Sequence, residues 1–145
     1  MSFFIQTIAA FIAITAFSVY LEVPKKNLIW CGILGAIGWF IYLLCKDFGI
    51  IWATFISSLS ITLISHIFAR VMKGPLTVFL IPGILPLVPG AYLYRTVYEL
   101  FFGTRDKMSA NFMLTLEIAG VIALAIFIMD SFFILLKDTS HNKRT

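Results

Sequence analysis

Three prolines and two glycines crowd into an otherwise apolar run, as Pro82, Gly83, Pro86, Pro89 and Gly90 within Ile81-Pro82-Gly83-Ile84-Leu85-Pro86-Leu87-Val88-Pro89-Gly90-Ala91-Tyr92-Leu93-Tyr94-Arg95. Proline lacks a backbone donor and clashes with the preceding turn, so this spacing predicts that no regular helix passes through the stretch. A broken helix leaves free carbonyls on one side of the break and free amides on the other. The half-helix after Pro89-Gly90 would aim its amides, and the positive end of its dipole, into the break, which suits a carboxylate or a phosphate. A kink that merely bends the segment is the plainer reading. Five such residues in mid-segment favour a functional break, as in transporters with discontinuous helices. Tyr94 and Arg95 follow directly. Arg95 could meet an anionic solute, pair with Glu99 four residues on, or snorkel to an interface.

Three further sets of residues invite chemistry. Thr54, Ser58, Thr62 and Ser65 recur at helical spacing and share one face, flanked by Ser57 and Ser60. Such a stripe either bonds neighbouring helices or lines a polar path, and the residues leave both open. Glu117 and Asp130 sit in an apolar run, where a carboxylate must be paired, protonated or facing water. Their spacing sets them about 140° apart around a helix, so they are not a pair on one face. Either could couple solute movement to protons, and Glu117 could instead touch a partner. His66, beside Arg70, reads as an interfacial residue rather than a proton relay. Gly32, Gly35, Ala36 and Gly38 offer a small-residue surface for close helix packing. Cys31 and Cys45 would stand roughly 21 Å apart on one helix, too far for a disulfide, and read as small apolar fillers. No glycine-rich phosphate loop, no metal-ligand spacing and no serine nucleophile with a base is present, so no enzyme, metal or other cofactor is expected.

The elements that must position these residues follow from composition. Of 145 residues, 61% are apolar and only 12% charged, with a mean hydropathy of +1.00. A water-soluble domain carries about 25% charged residues. The formal charge of +4 comes from short basic groups between apolar runs, which suits orientation in a membrane and not the tracking of a nucleic acid. The expected fold class is therefore an all-α integral membrane protein with about five transmembrane helices in a single polytopic domain over residues 1–137. Residues 138–145 form a short basic tail. Polar breaks delimit segments at 3–21, 28–45, 50–69, 76–102 and 112–136, the fourth interrupted by its prolines. Most approach the ~20 residues that cross a hydrocarbon core about 30 Å thick.

Lys25 and Lys26 fall on the same side as Arg70 and Lys73, with Lys46 opposite, so the positive-inside rule places the N-terminus outside. Beyond segment four the rule is silent. A full crossing and a re-entrant loop each leave seven basic residues inside against four outside. The length of the run after Gly90 favours a full crossing and an inside C-terminus. Five unlike segments with no internal repeat do not make a whole transporter of the two-halves kind, so copies of the chain or a partner are expected.

Pro82-Gly83, Pro86-Leu87-Val88-Pro89-Gly90 and Tyr94-Arg95 together resemble the signature of the threonine/serine exporter family. The Val23-Pro24 turn leading into Trp30-Cys31-Gly32 and Gly35-Ala36-Ile37-Gly38 is similar to the same family's second span. The likeness runs from about Phe3 to the end of segment five and is most specific in segment four. It implies the small subunit of a split, two-protein exporter in a bacterial plasma membrane, with a larger membrane subunit of the same family as partner. It also implies export of small anionic or zwitterionic metabolites, such as threonine and serine or dicarboxylates such as succinate. Neither Glu117 nor Asp130 belongs to any motif of the resemblance. A non-transporting membrane accessory that stabilises a larger partner is the other reading.

Overall fold

The computed structural model describes residues 3–142, with side chains placed over residues 3–136. Six helices follow in order: α1 (Phe3–Tyr20), α2 (Leu28–Cys45), α3 (Ile50–Val71), α4 (Thr77–Ile84), α5 (Gly90–Phe102) and α6 (Arg105–Asn142). Single 3₁₀ turns at Lys25–Asn27, Lys46–Phe48 and Leu85–Leu87 lead out of or into them. Among the described residues there is no strand. In lipid every backbone donor needs an internal acceptor, and long apolar runs meet that demand as helices. Four helical stretches are long and apolar enough to cross a membrane, and α4 with α5 makes a fifth, bent by 52°.

The helix ends are closed locally. Glu22 (φ 56°) and Lys73 (φ 51°) take the left-handed conformation that ends α1 and α3. Behind them the Val23 N–H donates to the Ser18 carbonyl and the Gly74 N–H to the Ala69 carbonyl, both at 3.0 Å, so each end is capped in the Schellman manner. Gly49, at φ 102°, makes the tight turn from α2 into α3, which a side chain would strain.

Packing centres on α2, which touches α1, α3 and α4. A Cβ on Gly32 would collide with Thr15 and Phe11, one on Gly35 with Ile14, and one on Gly38 with Ile61. Gly32 and Gly35 thus make the close approach to α1 and Gly38 the approach to α3, while Ala36 is half-buried. Ser57 adds a hydrogen bond to the Gly38 carbonyl across the second contact. Cys31, Leu34, Ile61, Phe79, Ile84, Leu87, Ile118 and Ile122 form the buried core. The α5–α6 hairpin stands to one side. Helix α5 rests on α6, and α6 in turn rests on α3.

Helices α3 and α6 run in the same direction. Thr54 and Ile118 line one cavity, and twelve residues further along each helix His66 is hydrogen-bonded to Asp130. Segment four must therefore carry the chain back across the membrane before α6 begins. Its geometry agrees. From Thr77 to Leu87 the chain rises roughly 17 Å, and α5, tilted by the bend, adds roughly 12 Å along the same axis, close to the ~30 Å of a bilayer core. The C-terminal end of α6 then lies on the side of Lys25, Lys26, Arg70 and Lys73.

Two larger differences separate the structure from the sequence reading. Helix α6 begins at Arg105 and continues to Asn142, because hydropathy marks where lipid ends and not where a helix ends. Residues 143–145 of the tail lie outside the described residues. The other difference is at Pro82, which sits inside α4, so regular helix passes through Pro82, Gly83 and Ile84 and the break is confined to Leu85–Pro89. Pro82 cannot donate to the carbonyl of Val78, four residues back. That carbonyl accepts instead from the buried Cys31 thiol of α2, with sulfur at 3.4 Å. A neighbouring side chain thus meets the acceptor that proline leaves open, as transmembrane helices require.

Candidate functional site at the helix break

At the break the chain leaves the 3₁₀ turn at Val88 and closes an inverse γ-turn around Pro89 (φ −76°, ψ 47°), with the Gly90 N–H on the Val88 carbonyl at 2.8 Å. The ladder of α5 starts when the Leu93 N–H reaches the Pro89 carbonyl at 3.0 Å. The amides of Ala91 and Tyr92 lie ahead of that ladder, among the donors that every helix start leaves open. Both residues line a cavity of about 140 Å³. Its other walls are Pro86, Leu87, Val88 and Pro89 of the break, Trp39 and Tyr42 of α2, Ile50 and Thr54 of α3, and Ile118 of α6. Trp39 and Tyr42 stack at 5.1 Å between ring centroids. The stacked rings of Trp39 and Tyr42 and the two residues that carry open amides thus border the same small volume.

The candidate residues divide around this cavity. Pro86, Pro89 and Thr54 line it. The Thr54 hydroxyl donates to the Ile50 carbonyl at 2.8 Å, which leaves its oxygen lone pairs available. Gly90 opens α5 and is exposed, with open space where a Cβ would stand. Tyr94 is exposed on α5, and Arg95 is exposed with its guanidinium 5.8 Å from the Tyr92 ring. Glu99 accepts from the Thr104 N–H at the turn into α6. Pro82 and Gly83 lie elsewhere. Pro82 borders a separate cavity of about 200 Å³ between the Glu22–Pro24 turn and the start of α4, and Gly83 packs on Leu34 and Ile61.

Thr54, Ser58, Thr62 and Ser65 of the α3 hydroxyl stripe are all buried, and of these Thr54 borders the cavity. Thr62 bonds its own helix at the Ser58 carbonyl. The Ser58 and Ser65 hydroxyls have no partner among the described residues. Glu117 is exposed on the outward face of α6, one residue from cavity-lining Ile118. Asp130 is joined to His66, with Nε2 and Oδ1 2.7 Å apart. Sequence reasoning missed Trp39, Tyr42 and Tyr92 as site residues. The i, i+3 spacing of Trp39 and Tyr42 marked a shared face, but not which neighbour that face meets.

No solved structure matches the chain. The model of the family described as Threonine/Serine exporter, ThrE, matches residues 6–132, nearly all of the helical domain and the whole of the break. The chain belongs to the threonine/serine exporter family.

Proposed function

We propose that this chain is one subunit of an exporter that passes small anionic or zwitterionic metabolites, hydroxy amino acids or dicarboxylates, across a bacterial plasma membrane with its N-terminus outside. The observation that carries this reading is the cavity at the break, bordered both by Ala91 and Tyr92, whose amides precede the α5 ladder, and by Trp39 and Tyr42. A solute carboxylate would sit against the amides of Ala91 and Tyr92, where the helix dipole favours negative charge. Thr54 offers a hydrogen bond to an amino or hydroxyl group. Arg95, about five residues along α5, would draw anions toward the break from its outer end.

A larger membrane protein of the same family is the proposed partner. Much of the surface of α5 and of the outward face of α6 is bare: Tyr94, Tyr98, Phe101, Phe102, Leu116 and Phe127 are all exposed. Among them stands Glu117, whose charge would cost about 2.5–3.5 kcal/mol in lipid. A protein surface with a matching donor removes that cost, so we assign Glu117 to the partner contact. The same bare surface favours the second reading, an accessory that only stabilises the larger protein.

Flux separates the two. Vesicles carrying the larger protein alone, this chain alone, or both are loaded with labelled threonine, serine or succinate. A shared transporter exports only when both are present. Full export by the larger protein alone refutes a transport role for this chain.

A further inference from the structure

The hydroxyls of α3 divide by what they bond. Ser57 reaches across to α2 and donates to the Gly38 carbonyl, as a residue that ties two membrane helices together does. Ser58 and Ser65 tie nothing. Both are fully buried, and neither hydroxyl has a partner among the described residues. The helices packed on α3 give them none. From Val78 to Ile84 of α4, and from Ile118 to Met129 of α6, no side chain carries a hydrogen-bonding nitrogen or oxygen. A buried hydroxyl left without a partner is costly, so packing alone does not account for these two.

Their position suggests a use. At 3.6 residues per turn, Ser58, Thr62 and Ser65 fall inside an arc of about 120° on α3. One edge of the arc is Thr54, which lines the cavity, and the other is His66, which is bonded to α6. Thr54 with Ile118, and His66 with Asp130, share an offset of 64 residues. The arc therefore runs beside α6 at the levels of Ile118, Ile122 and Ile126. From Thr54 to Ser65 it covers roughly 16 Å, and it stops roughly 9 Å short of the end of α3 at Val71. We propose that this arc continues the solute's route, leading from the cavity at the break toward the face of Lys25, Lys26, Arg70 and Lys73. In this structure it is closed by α6, whose Ile118, Ile122 and Ala125 are buried. The proposal rests on the exporter reading.

The chemistry suits a solute with a carboxylate at one end and a second polar group at the other. A serine hydroxyl donates once and accepts twice, so the same residues can meet the carboxylate and the ammonium of a zwitterion, or both ends of a dicarboxylate. Thr62 donates to the Ser58 carbonyl and keeps its lone pairs for a donor. None of these groups is charged, so they replace part of the solute's water without trapping it. The wall that moves is α6. The α5–α6 hairpin joins the rest of the molecule chiefly through the α3–α6 contact and through the break. A swing of the hairpin about Leu85–Pro89 would uncover the arc, and the passing solute would then supply the partners that Ser58 and Ser65 lack.

Ser58→Ala with Ser65→Ala tests the route in vesicles that hold this chain and its larger partner. The double variant should export labelled threonine, serine or succinate several-fold more slowly than the unsubstituted protein. Its unfolding in micelles by a denaturing detergent should need as much detergent or more, because two unmet hydroxyls are gone. Unchanged flux overturns the route. So does a loss of flux matched by a loss of stability, which is what a packing role gives. A second readout is independent of flux in that variant. In the Cys31→Ser and Cys45→Ala background, Ser65→Cys should react with an impermeant thiol reagent on the Lys26 side when solute is moving, and not when solute is absent. A thiol that never reacts, or that reacts equally in both conditions, overturns the route. Absence of export by the unsubstituted protein overturns the exporter reading and the route with it, whereas export that ignores both serines removes the route alone.

Discussion

Replacing Cys31 with alanine tests whether a thiol on α2 stands in for the amide that Pro82 lacks. The Val78 carbonyl accepts from Cys31, which is fully buried, as is Pro82. That carbonyl is part-buried, and leaving such an acceptor unmet costs about 1–3 kcal/mol. The void left by the sulfur adds on the order of 0.5–1 kcal/mol at about 24 cal/mol per Å³. Cys31→Ala should therefore lower stability by roughly 1.5–4 kcal/mol, and Cys31→Ser, which keeps a donor, by less. Pro82→Ala restores an N–H that returns to the Val78 carbonyl. In that background only the void remains, and Cys31→Ala should cost about 0.5–1 kcal/mol. The coupling of about 1–3 kcal/mol exceeds the 0.3–0.5 kcal/mol within which independent substitutions add. Equilibrium unfolding of the four proteins in micelles by a denaturing detergent measures it. Additive effects would refute the exchange of donors, and α4 would then pass Pro82 for some other reason.

Three further outcomes follow from the same geometry. Converting Pro86 and Pro89 to leucine and Gly90 to alanine should let one helix run through the break and abolish flux in the vesicle assay while membrane insertion, scored by protease protection, stays intact. Because α3 and α6 are parallel, a cysteine at Thr104 should react with an impermeant thiol reagent from the same side as one at Asp47 and from the side opposite one at Lys26; labelling of Thr104 from the Lys26 side would mean that segment four re-enters. Glu117→Gln should weaken co-purification with the larger family partner several-fold, and an unchanged yield of complex would refute the partner role.

The sequence carried some of this fold clearly, for a physical reason. Lipid offers the backbone no hydrogen bonds, so the length of an apolar run becomes the length of a span, and α2 begins and ends at Leu28 and Cys45 as its polar flanks imply. The same logic fails at the start of α6, where the largely polar stretch Arg105 to Asn111 is still helical outside the apolar run. The break was legible as a break, but its width depended on Cys31, which lies 47 residues from Val78 in sequence. Trp39 and Tyr42 were hidden for a related reason, since which neighbour a helix face meets is set by packing and not by local pattern. His66 looked like an interfacial residue beside Arg70, and its bond to Asp130 spans 64 residues. Glu99 was a candidate partner for Arg95, yet the turn at Gly103 brings its carboxylate to the Thr104 amide.

The central claim, that the break lines the route of the solute, is tested most directly at Ala91. With Cys31→Ser and Cys45→Ala removing the native thiols, Ala91→Cys in vesicles that also hold the larger partner is exposed to an impermeant, charged thiol reagent. The account predicts that the thiol reacts and that the exported solute, threonine, serine or succinate, slows the reaction in proportion to its occupancy. A thiol that never reacts, or one whose rate no exported solute changes, would contradict it.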